Sequence, residues 1–197
     1  AVEYHVYRNG AFLQKTTTTS FTIPNSNFAL YSVCAVDGNG TPSFLSEPLR
    51  ANDGGQKLIE IESIAPASGL PYVNFSGNGF VEISVSKNKS IVWTINVPEA
   101  GSYLLDFRYS NGSGPWNTDN KCAIRSLFVN SSYLGTFVFP QRGKDEWSDW
   151  GYSNARVVKL QAGTNQLQLS LESWNNNMNE IVNTAMLDAL RFVKLQP

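Results

Sequence analysis

Two glutamates and one aspartate are the residues of this sequence whose types and spacing could form a functional site. Glu60 and Glu62 stand two apart in LIEIES (58–63), and Asp188 stands in the apolar segment NTAMLDALRFV (183–193). Alternate side chains of a β-strand share a face, so a strand would point both glutamates the same way. If the first and last strands of a sandwich lie side by side, the three carboxylates converge.

Three carboxylates brought together repel one another and do not all stay ionised cheaply. A calcium ion resolves this conflict, because it accepts about six to eight oxygen ligands, carboxylates included. Alternatively, Glu60 and Glu62 form the solvent-facing side of a strand and Asp188 caps a turn. A glycosidase pair is disfavoured, because its carboxylates flank an open cleft about 5–10 Å apart. Glutamates two apart on a core strand do not suggest such a cleft.

Nucleophilic catalysis has no support in the remaining reactive residues. His5, the only histidine, lies in the strand-like VEYHVYRNG and is interpreted as a packing residue. Cys34 and Cys122 form no disulfide framework, and no second Cys or His stands at metal-ligand spacing. We therefore predict no catalytic residues and no enzyme activity in this chain.

The composition is typical of a β protein with many polar turns. Of the 197 residues 42% are apolar and 16% charged, and the charged share is below the roughly 25% usual for soluble domains. The net charge is −1 and no Lys/Arg block occurs, which argues against a nucleic-acid partner. No run reaches the roughly 18 apolar residues of a membrane span, and the sequence opens without a signal peptide. We therefore expect no membrane insertion.

The elements that must position these residues are short strands. Runs rich in Val, Ile, Tyr, Phe and Thr alternate with Gly, Asn, Pro and Ser turns, which favours a sandwich or barrel. A polar linker at 51–57 divides residues 1–50 from residues 58–197. The first part contains EYHVYRNG, AFLQKT, SFTI, LYSVCAVDG and SFLSEPL. The second part contains LIEIES, FVEISV, SIVWTINV, GSYLLDFRYS, CAIRSLFVN, YLGTFVF, RVVKLQ, NQLQLSLES and AMLDALRFVKL, which predicts a two-sheet jelly roll.

Residues 1–50 resemble the later part of a fibronectin type III domain. The resemblance rests on YHVYRNG, TSFTI and YSVCAVDGNGTPSFLSEPL. The opening strands of that immunoglobulin-like sandwich are missing, and a sandwich without them leaves apolar surface bare. We interpret residue 1 as a truncation or proteolysis point. We expect this partial sandwich to lean on its neighbour or on another chain.

Residues 58–197 are similar to carbohydrate-binding modules of family 35 and of the neighbouring family 6. The similarity rests on FSGNGFVEI, IVWTINVPEAGSYLLDFRYSNG, VVKLQAGTNQLQLSL and LDALRF. It implies a galactose-binding-like β jelly roll that binds sugar, performs no chemistry and is attached to a secreted glycoside hydrolase or polysaccharide lyase. It also implies a structural calcium held by Glu60, Glu62 and Asp188. Such an ion would stabilise the fold, since binding that requires the folded site contributes to folding.

Loop aromatics and amides are the candidate sugar-binding residues, because loops on a rigid sandwich usually carry binding groups. Trp93 alternates with apolar neighbours and is assigned to the core. In the Trp-x-x-Trp loop, we expect Trp147 to stack on sugar and Trp150 to pack inward. Asparagine also suits turns, which is the alternative for the amides. The candidates are Tyr72, Asn111, Trp116, Trp147, Trp174, Asn175 and Asn183.

The sequence thus predicts an all-β chain, secreted, extracellular or periplasmic, in which a truncated fibronectin-like segment precedes a calcium-stabilised module that binds oligo- or polysaccharide. The module would tether the catalytic domain of its parent protein to glycan. An alternative is a docking sandwich that has lost sugar binding, in which Trp116, Trp147 and Trp174 would be buried or scattered. A cell-surface adhesin is a third, weaker possibility, and the identity of the sugar stays open.

Overall fold

The computed structural model describes residues 2–23, 28–52, 55–114 and 121–195. These residues form antiparallel sheets and one short 3-10 turn, which confirms the predicted all-β fold class. The chain divides into two compact units, Ala1–Gln56 with Val193–Pro197, and Lys57–Phe192. In the described ranges, no helix has the length and apolar character needed to cross a membrane.

The first unit contains a four-stranded sheet in the order β2-β1-β3-β4. The strands are β1 (Glu3–Arg8), β2 (Ala11–Thr16), β3 (Ala29–Val36) and β4 (Leu49–Ala51). The predicted strands SFTI and SFLSEPL do not form. In the second of these segments, the Ser43 and Ser46 hydroxyls accept backbone N–H groups of β3, at 3.0 Å each. These side-chain bonds compete with a regular ladder, so the segment follows β3 without becoming a strand.

One face of this sheet carries the small core of the first unit. Val6, Ala29 and Tyr31 are buried, and Phe21 and Ile23 pack against them. The same face opens into a groove of about 440 Å³ lined by Val6, Tyr31 and further apolar and hydroxyl side chains. The fibronectin type III resemblance of this unit stays a prediction.

The second unit is a sandwich of two antiparallel sheets. One has four strands in the order β10-β9-β13-β7, and the other has six, with β11-β8-β14-β5 as its main path, β12 on β8 and β6 on β14. The strands are β5 (Lys57–Glu60), β6 (Val81–Ile83), β7 (Ser90–Val97), β8 (Gly101–Ser110), β9 (Ala123–Val129), β10 (Ser132–Phe139), β11 (Gly151–Tyr152), β12 (Arg156–Leu160), β13 (Gly163–Ser170) and β14 (Ala185–Lys194).

The core between the sheets follows from strand alternation. In β7, Ile91, Trp93, Ile95 and Val97 are buried while the residues between them are exposed, which confirms that Trp93 is a core residue. Phe107 of β8 lies at the centre, with ring centroids 4.9 Å from Phe137, 6.0 Å from Phe139 and 6.4 Å from Trp93. Edge-to-face contacts of this kind stabilise a core beyond the area that they bury.

We expect Phe107→Ala to lower the free energy of unfolding by about 3–5 kcal/mol, because it leaves a cavity among rings that cannot all collapse into it. Urea unfolding of the whole chain, followed by tryptophan fluorescence, measures the change. The control is Val157→Ala, at a position that is 55% exposed. A loss as small as that of the control would contradict the central position of Phe107.

Candidate functional site

The structure brings Glu60, Glu62 and Asp188 to one place. Strand β5 ends at Glu60, which is paired with Ala189 of β14 and so lies beside Asp188. Glu62 belongs to the 3-10 turn Ile61–Ser63. The prediction that LIEIES is one strand is therefore wrong. The turn, and not strand alternation, places the Glu62 carboxylate on this side while Ile61 enters the core.

The segment 74–79 covers these carboxylates. Ser76 Oγ lies 2.9 Å from Glu60 Oε2 and 3.0 Å from Asp188 Oδ2, and the Ser76 N–H donates to Asp188 Oδ1 at 2.9 Å. The Asn78 N–H donates to Glu62 Oε1 at 2.8 Å. A hydroxyl has one proton, so Ser76 Oγ can donate to only one of its two carboxylates at a time.

The approach of this segment is close enough to favour glycine. A Cβ at Gly77 would lie 2.5 Å from Glu62 Oε1 and 3.0 Å from Glu60 Cδ, and Gly77 has a φ of +62°. A Cβ here would push the Glu62 carboxylate aside and would strain the left-handed backbone, so glycine is favoured at this position. The two glutamate side chains are therefore held within a cradle that one backbone conformation creates.

Asp188 forms an ion pair with Arg108. Nη1 of Arg108 on β8 donates to Asp188 Oδ2, and Nη2 donates to the Asn74 carbonyl at 3.0 Å. The guanidinium also lies over the Trp150 ring, 5.6 Å from its centroid. The Asp188 side chain is fully buried in the mostly apolar strand β14. The ion pair with Arg108 compensates the cost of placing its negative charge there. Three carboxylates against one guanidinium leave an excess of two negative charges.

The electrostatics of the cluster disfavour full ionisation. Burial raises the pKa of Glu60, and the charges of Asp188 and Glu62 raise it further, although the Ser76 hydroxyl opposes the shift. Burial also raises the pKa of Asp188, against the opposing effect of Arg108. Glu62 Oε2 is buried without a hydrogen-bond partner. An unsatisfied buried carboxylate oxygen is costly, so the arrangement favours a cation at this point.

The residues present fit a hard divalent cation in charge and in donor type, because calcium prefers carboxylate and carbonyl oxygens. Across the described part of the chain, however, no three acidic, cysteine or histidine side chains are already spaced as a metal-ligand group. The Ser76 hydroxyl bridges Glu60 and Asp188 instead. Joint ligation would therefore require these side chains to move relative to Ser76.

A second feature is a stack of aromatic rings beside this cluster. Tyr72 lies between Phe80 and Trp147, with both centroid distances 5.7 Å and interplanar angles of 26° and 10°. Phe80 is buried, whereas Tyr72 and Trp147 are only half-buried. Trp150 packs inward on Phe80 at 5.5 Å and donates its indole N–H to the Val73 carbonyl. The outer member of this stack, Trp147, is the ring that a planar sugar face could reach.

Three predicted ligand contacts are instead buried parts of the fold. The Asn111 amide donates to the Lys121 and Phe139 carbonyls, at 3.2 and 2.9 Å. Asn175 bonds the Ser126 hydroxyl, and Asn183 donates to the Asn175 carbonyl. Their exposures are 0%, 2% and 5% for Asn111, Asn175 and Asn183. This corrects the prediction, because amides committed to backbone groups are not free for a ligand.

Asn183 also anchors the loop 171–184 to a buried arginine. Its side-chain oxygen and its carbonyl both accept bonds from Arg125 of β9, and Nη2 of Arg125 reaches the Ser84 carbonyl at 3.1 Å. Arg125 is completely buried, and burial lowers its pKa to about 10. It therefore stays charged at neutral pH, solvated by protein oxygens.

The remaining candidates are Trp116, which lies outside the described residues, and Trp174. The Trp174 indole N–H donates to the Ser126 hydroxyl at 3.1 Å, and its ring meets Tyr133 edge-on at 6.3 Å. It is 58% exposed. Trp174 therefore lies over the four-stranded sheet, whereas the Tyr72–Trp147 stack adjoins Trp150 on the outer side of the six-stranded sheet. Trp147 and Trp174 are not gathered at one rim, which is the arrangement expected of the docking alternative.

Arg108, Ser76 and Tyr133 are site residues that sequence motifs do not reveal. A signal exists for Arg108, since Asp106 and Arg108 share one strand face in LLDFRYS and call for charged neighbours across the sheet. The sequence around Ser76 gives no signal of its role. That role arises because the segment 74–79 contacts both β5 and β14, which are far apart in the sequence. Tyr133 depends likewise on cross-strand pairing.

The chain is similar to known proteins in sequence and in structure. No family model matches the sequence. A cycloisomaltooligosaccharide glucanotransferase of Niallia circulans is 29% identical over 66% of this chain, which spans only 14% of that protein. The structure of a Paenibacillus sp. cycloisomaltooligosaccharide glucanotransferase, complexed with cycloisomaltoheptaose, matches 68% of this chain and 18% of its own, at 26% identity and a TM-score of 0.51.

A family 35 carbohydrate-binding module of Clostridium thermocellum matches along its entire length. It covers 72% of this chain and 100% of its own, at 20% identity and a TM-score of 0.54. The chain contains the fold of a family 35 carbohydrate-binding module. The matched share is close to that of Lys57–Phe192, so we assign this fold to the second unit. The predicted jelly roll is thereby confirmed.

Metal-free Glu60→Gln is expected to be more stable than the metal-free wild type near neutral pH. The folded-state pKa of Glu60 is raised above 4.5, so the folded protein loses stability as the pH rises from that value through the raised pKa. Glutamine carries no charge and escapes this loss. Urea unfolding in EDTA should show an advantage of the variant at about pH 7.5 that narrows toward about pH 4.5. An advantage independent of pH would contradict the electrostatic origin.

Proposed function

We propose that the second unit is a non-catalytic carbohydrate-binding module that holds a parent carbohydrate-active enzyme on its glycan. The observation that carries this proposal is the half-buried Tyr72–Trp147 stack on a family 35 fold. Ligand sites combine aromatic surface with a few polar groups, and a rigid ring needs little ordering on binding. Trp147 would contact the apolar face of a pyranose, and the polar residues of the loop 141–149 would contact its hydroxyls.

We propose 1,6-α-linked glucan as the ligand to test first. The two glucanotransferases above are named for cycloisomaltooligosaccharides, which are rings of 1,6-α-linked glucose. Affinity for a short oligosaccharide should lie between micromolar and millimolar, because a shallow polar site gives only a few kcal/mol beyond the cost of association. A secreted or cell-surface location and a catalytic partner in the same protein are parts of this proposal.

We also propose a structural calcium at Glu60, Glu62 and Asp188. The excess of two negative charges and the unpartnered Glu62 Oε2 support it. When bound, the ion would neutralise the carboxylates and join the end of β5 to β14. Its role is stability, since a ligand that binds only the folded state raises the free energy of unfolding. To reach the ion, Glu60 and Asp188 would give up their shared contact with the Ser76 hydroxyl, and Arg108 would orient Asp188.

Calcium should raise the melting temperature of the EDTA-treated chain by roughly 5–10 °C at about 100-fold above its Kd. Glu62→Gln should abolish most of this shift, because it removes a charged ligand. Glu180→Gln is the matched control, at an exposed position away from the cluster. Differential scanning fluorimetry measures the shift. An equal calcium response in both variants would exclude the proposed ligand set.

Trp147→Ala should weaken glycan binding roughly tenfold or more, because it removes the outer, half-buried ring of the stack. Affinity electrophoresis on dextran, on further neutral polysaccharides and on an acidic polysaccharide measures it, with Phe44→Ala as the control at a residue that is 99% exposed in the first unit. If the wild type binds no glycan while the calcium response persists, the alternative of a docking sandwich takes the place of sugar binding.

A further inference from the structure

The outward face of the four-stranded sheet has an unusual composition. Strand pairing places Tyr133, Phe128, Gln168 and Val92 in one row across β10, β9, β13 and β7. The adjacent row contains Thr136, Ser126, Ser170 and Ser90. On β7 and β13 the outward residues are again amides and hydroxyls, with Val92 among them. These outward residues of β7, β9, β10 and β13 form the outer face.

The four strands of the outer face place no charged side chain outward, and one charge lies beside them in the adjoining loop, where the Glu172 carboxylate accepts a hydrogen bond of 2.5 Å from the Ser170 hydroxyl. All four strands lie within the described residues, and Arg125 is the only Asp, Glu, Lys or Arg among them. Arg125 alternates with Ser126 and points into the sandwich, where it is fully buried. Solvated strand faces usually carry charged side chains, which also discourage association. The six-stranded sheet follows this habit, since its outer side contains the ion pairs Arg108–Asp188 and Arg191–Asp106.

Three aromatic rings form a continuous ridge on the outer face. Phe128 and Tyr133 are cross-strand neighbours with centroids 5.7 Å apart, and Trp174 meets Tyr133 at 6.3 Å. Tyr133 is 51% exposed and Trp174 58% exposed. The exposed indole is fixed in position, because its N–H bonds Ser126 and the loop that bears it is tied to Arg125 through Asn183.

The amides and hydroxyls beside the ridge are suited to a neutral, hydroxyl-rich ligand. Gln168 lies next to Phe128 in the same row, and its amide already bonds the Ser90 hydroxyl at 3.0 Å. Tyr133 and Thr136 share a hydroxyl–hydroxyl bond of 2.9 Å. Such groups exchange hydrogen bonds with sugar hydroxyls, whereas a charged partner would find no counter-charge on these strands.

We propose that the outer face is a second binding surface, separate from the Tyr72–Trp147 stack, for a chain of neutral sugars. Trp174, Tyr133 and Phe128 would contact the apolar faces of successive pyranoses, and Gln168 and Thr136 would contact their hydroxyls. This inference rests on the proposed function and extends it from one site to two. Two sites on one unit raise the avidity for a polysaccharide without new contacts, provided that the chain can reach both.

The test compares single and double variants of the full chain. Tyr133→Ala and Trp174→Ala each remove one ring of the ridge, Trp147→Ala removes the stack, and Val157→Ala is the control on β12, at a position 55% exposed. Melting temperatures verify that each variant folds. The probes are the polysaccharide gels described above and isothermal titration with a short 1,6-α-linked glucose oligomer.

We expect two oligomer sites per wild-type chain and one in either Tyr133→Ala or Trp147→Ala. On the neutral gel that retards the wild type, each variant of the ridge should weaken binding roughly tenfold, and Tyr133→Ala combined with Trp147→Ala should abolish it. If the wild type is retarded only by the acidic polysaccharide, the proposal that the ligand is a chain of neutral sugars is wrong.

The remaining outcomes separate this inference from the proposed function. If both ridge variants bind like Val157→Ala while Trp147→Ala loses binding, the second surface is excluded and the module stands. If only the ridge variants lose binding, the outer face is the sugar site and the stack is not. If the wild type binds none of the glycans, both proposals fail.

Discussion

The structure of the second unit depends on how a fully buried aspartate is compensated. Asp188 lies on the central strand β14, and its charge is balanced by Arg108 from β8 and by the backbone of Ser76. These contacts join β8, the strand β14 that closes the unit and the segment between β5 and β6, and the Ser76 hydroxyl extends them to Glu60 at the end of β5. A buried ion pair specifies an arrangement more than it stabilises one, since breaking it would leave a charge without a partner. The segment 74–79, which contacts Asp188, also contacts Glu60 and Glu62. It thereby holds three carboxylates together, and a bound cation would reduce their mutual repulsion.

The outer sides of the two sheets differ in the kind of polar group that they carry. The six-stranded sheet buries ion pairs under aromatic rings, with Arg108 beneath Trp150 and the Arg191 guanidinium 3.6 Å from the centroid of the Tyr152 ring. The four-stranded sheet presents amides, hydroxyls and three rings. The first arrangement uses its polar groups within the protein. The second also bonds several of its own hydroxyls and amides, but it keeps Thr94, Asn96, Thr164 and Gln166 exposed to solvent. Binding capacity on this sandwich therefore depends on which side exposes polar groups.

Strand positions could be predicted from sequence wherever alternation was complete. SIVWTINV and GSYLLDFRYS become β7 and β8 with the predicted bounds, because one face of each is apolar and the flanking turns are unambiguous. The site was less predictable. Glu62 sits in a 3-10 turn that strand alternation does not indicate, and the three asparagines are buried by loops that meet only in the folded chain. Residue type identifies an amide, but only tertiary contacts decide whether it faces a sugar or a carbonyl.

The anchoring of the loop 171–184 has a consequence for protein engineering. Its base is fixed by Asn183 on the buried Arg125 and by Asn177, whose amide reaches the Cys122 carbonyl. Its tip instead exposes Met178 and Ile181, at 83% and 78%. Anchor and tip are thus separable. Randomising the tip in a library while keeping the two asparagines would vary the recognition surface on an unchanged frame, much as antibody loops vary on theirs.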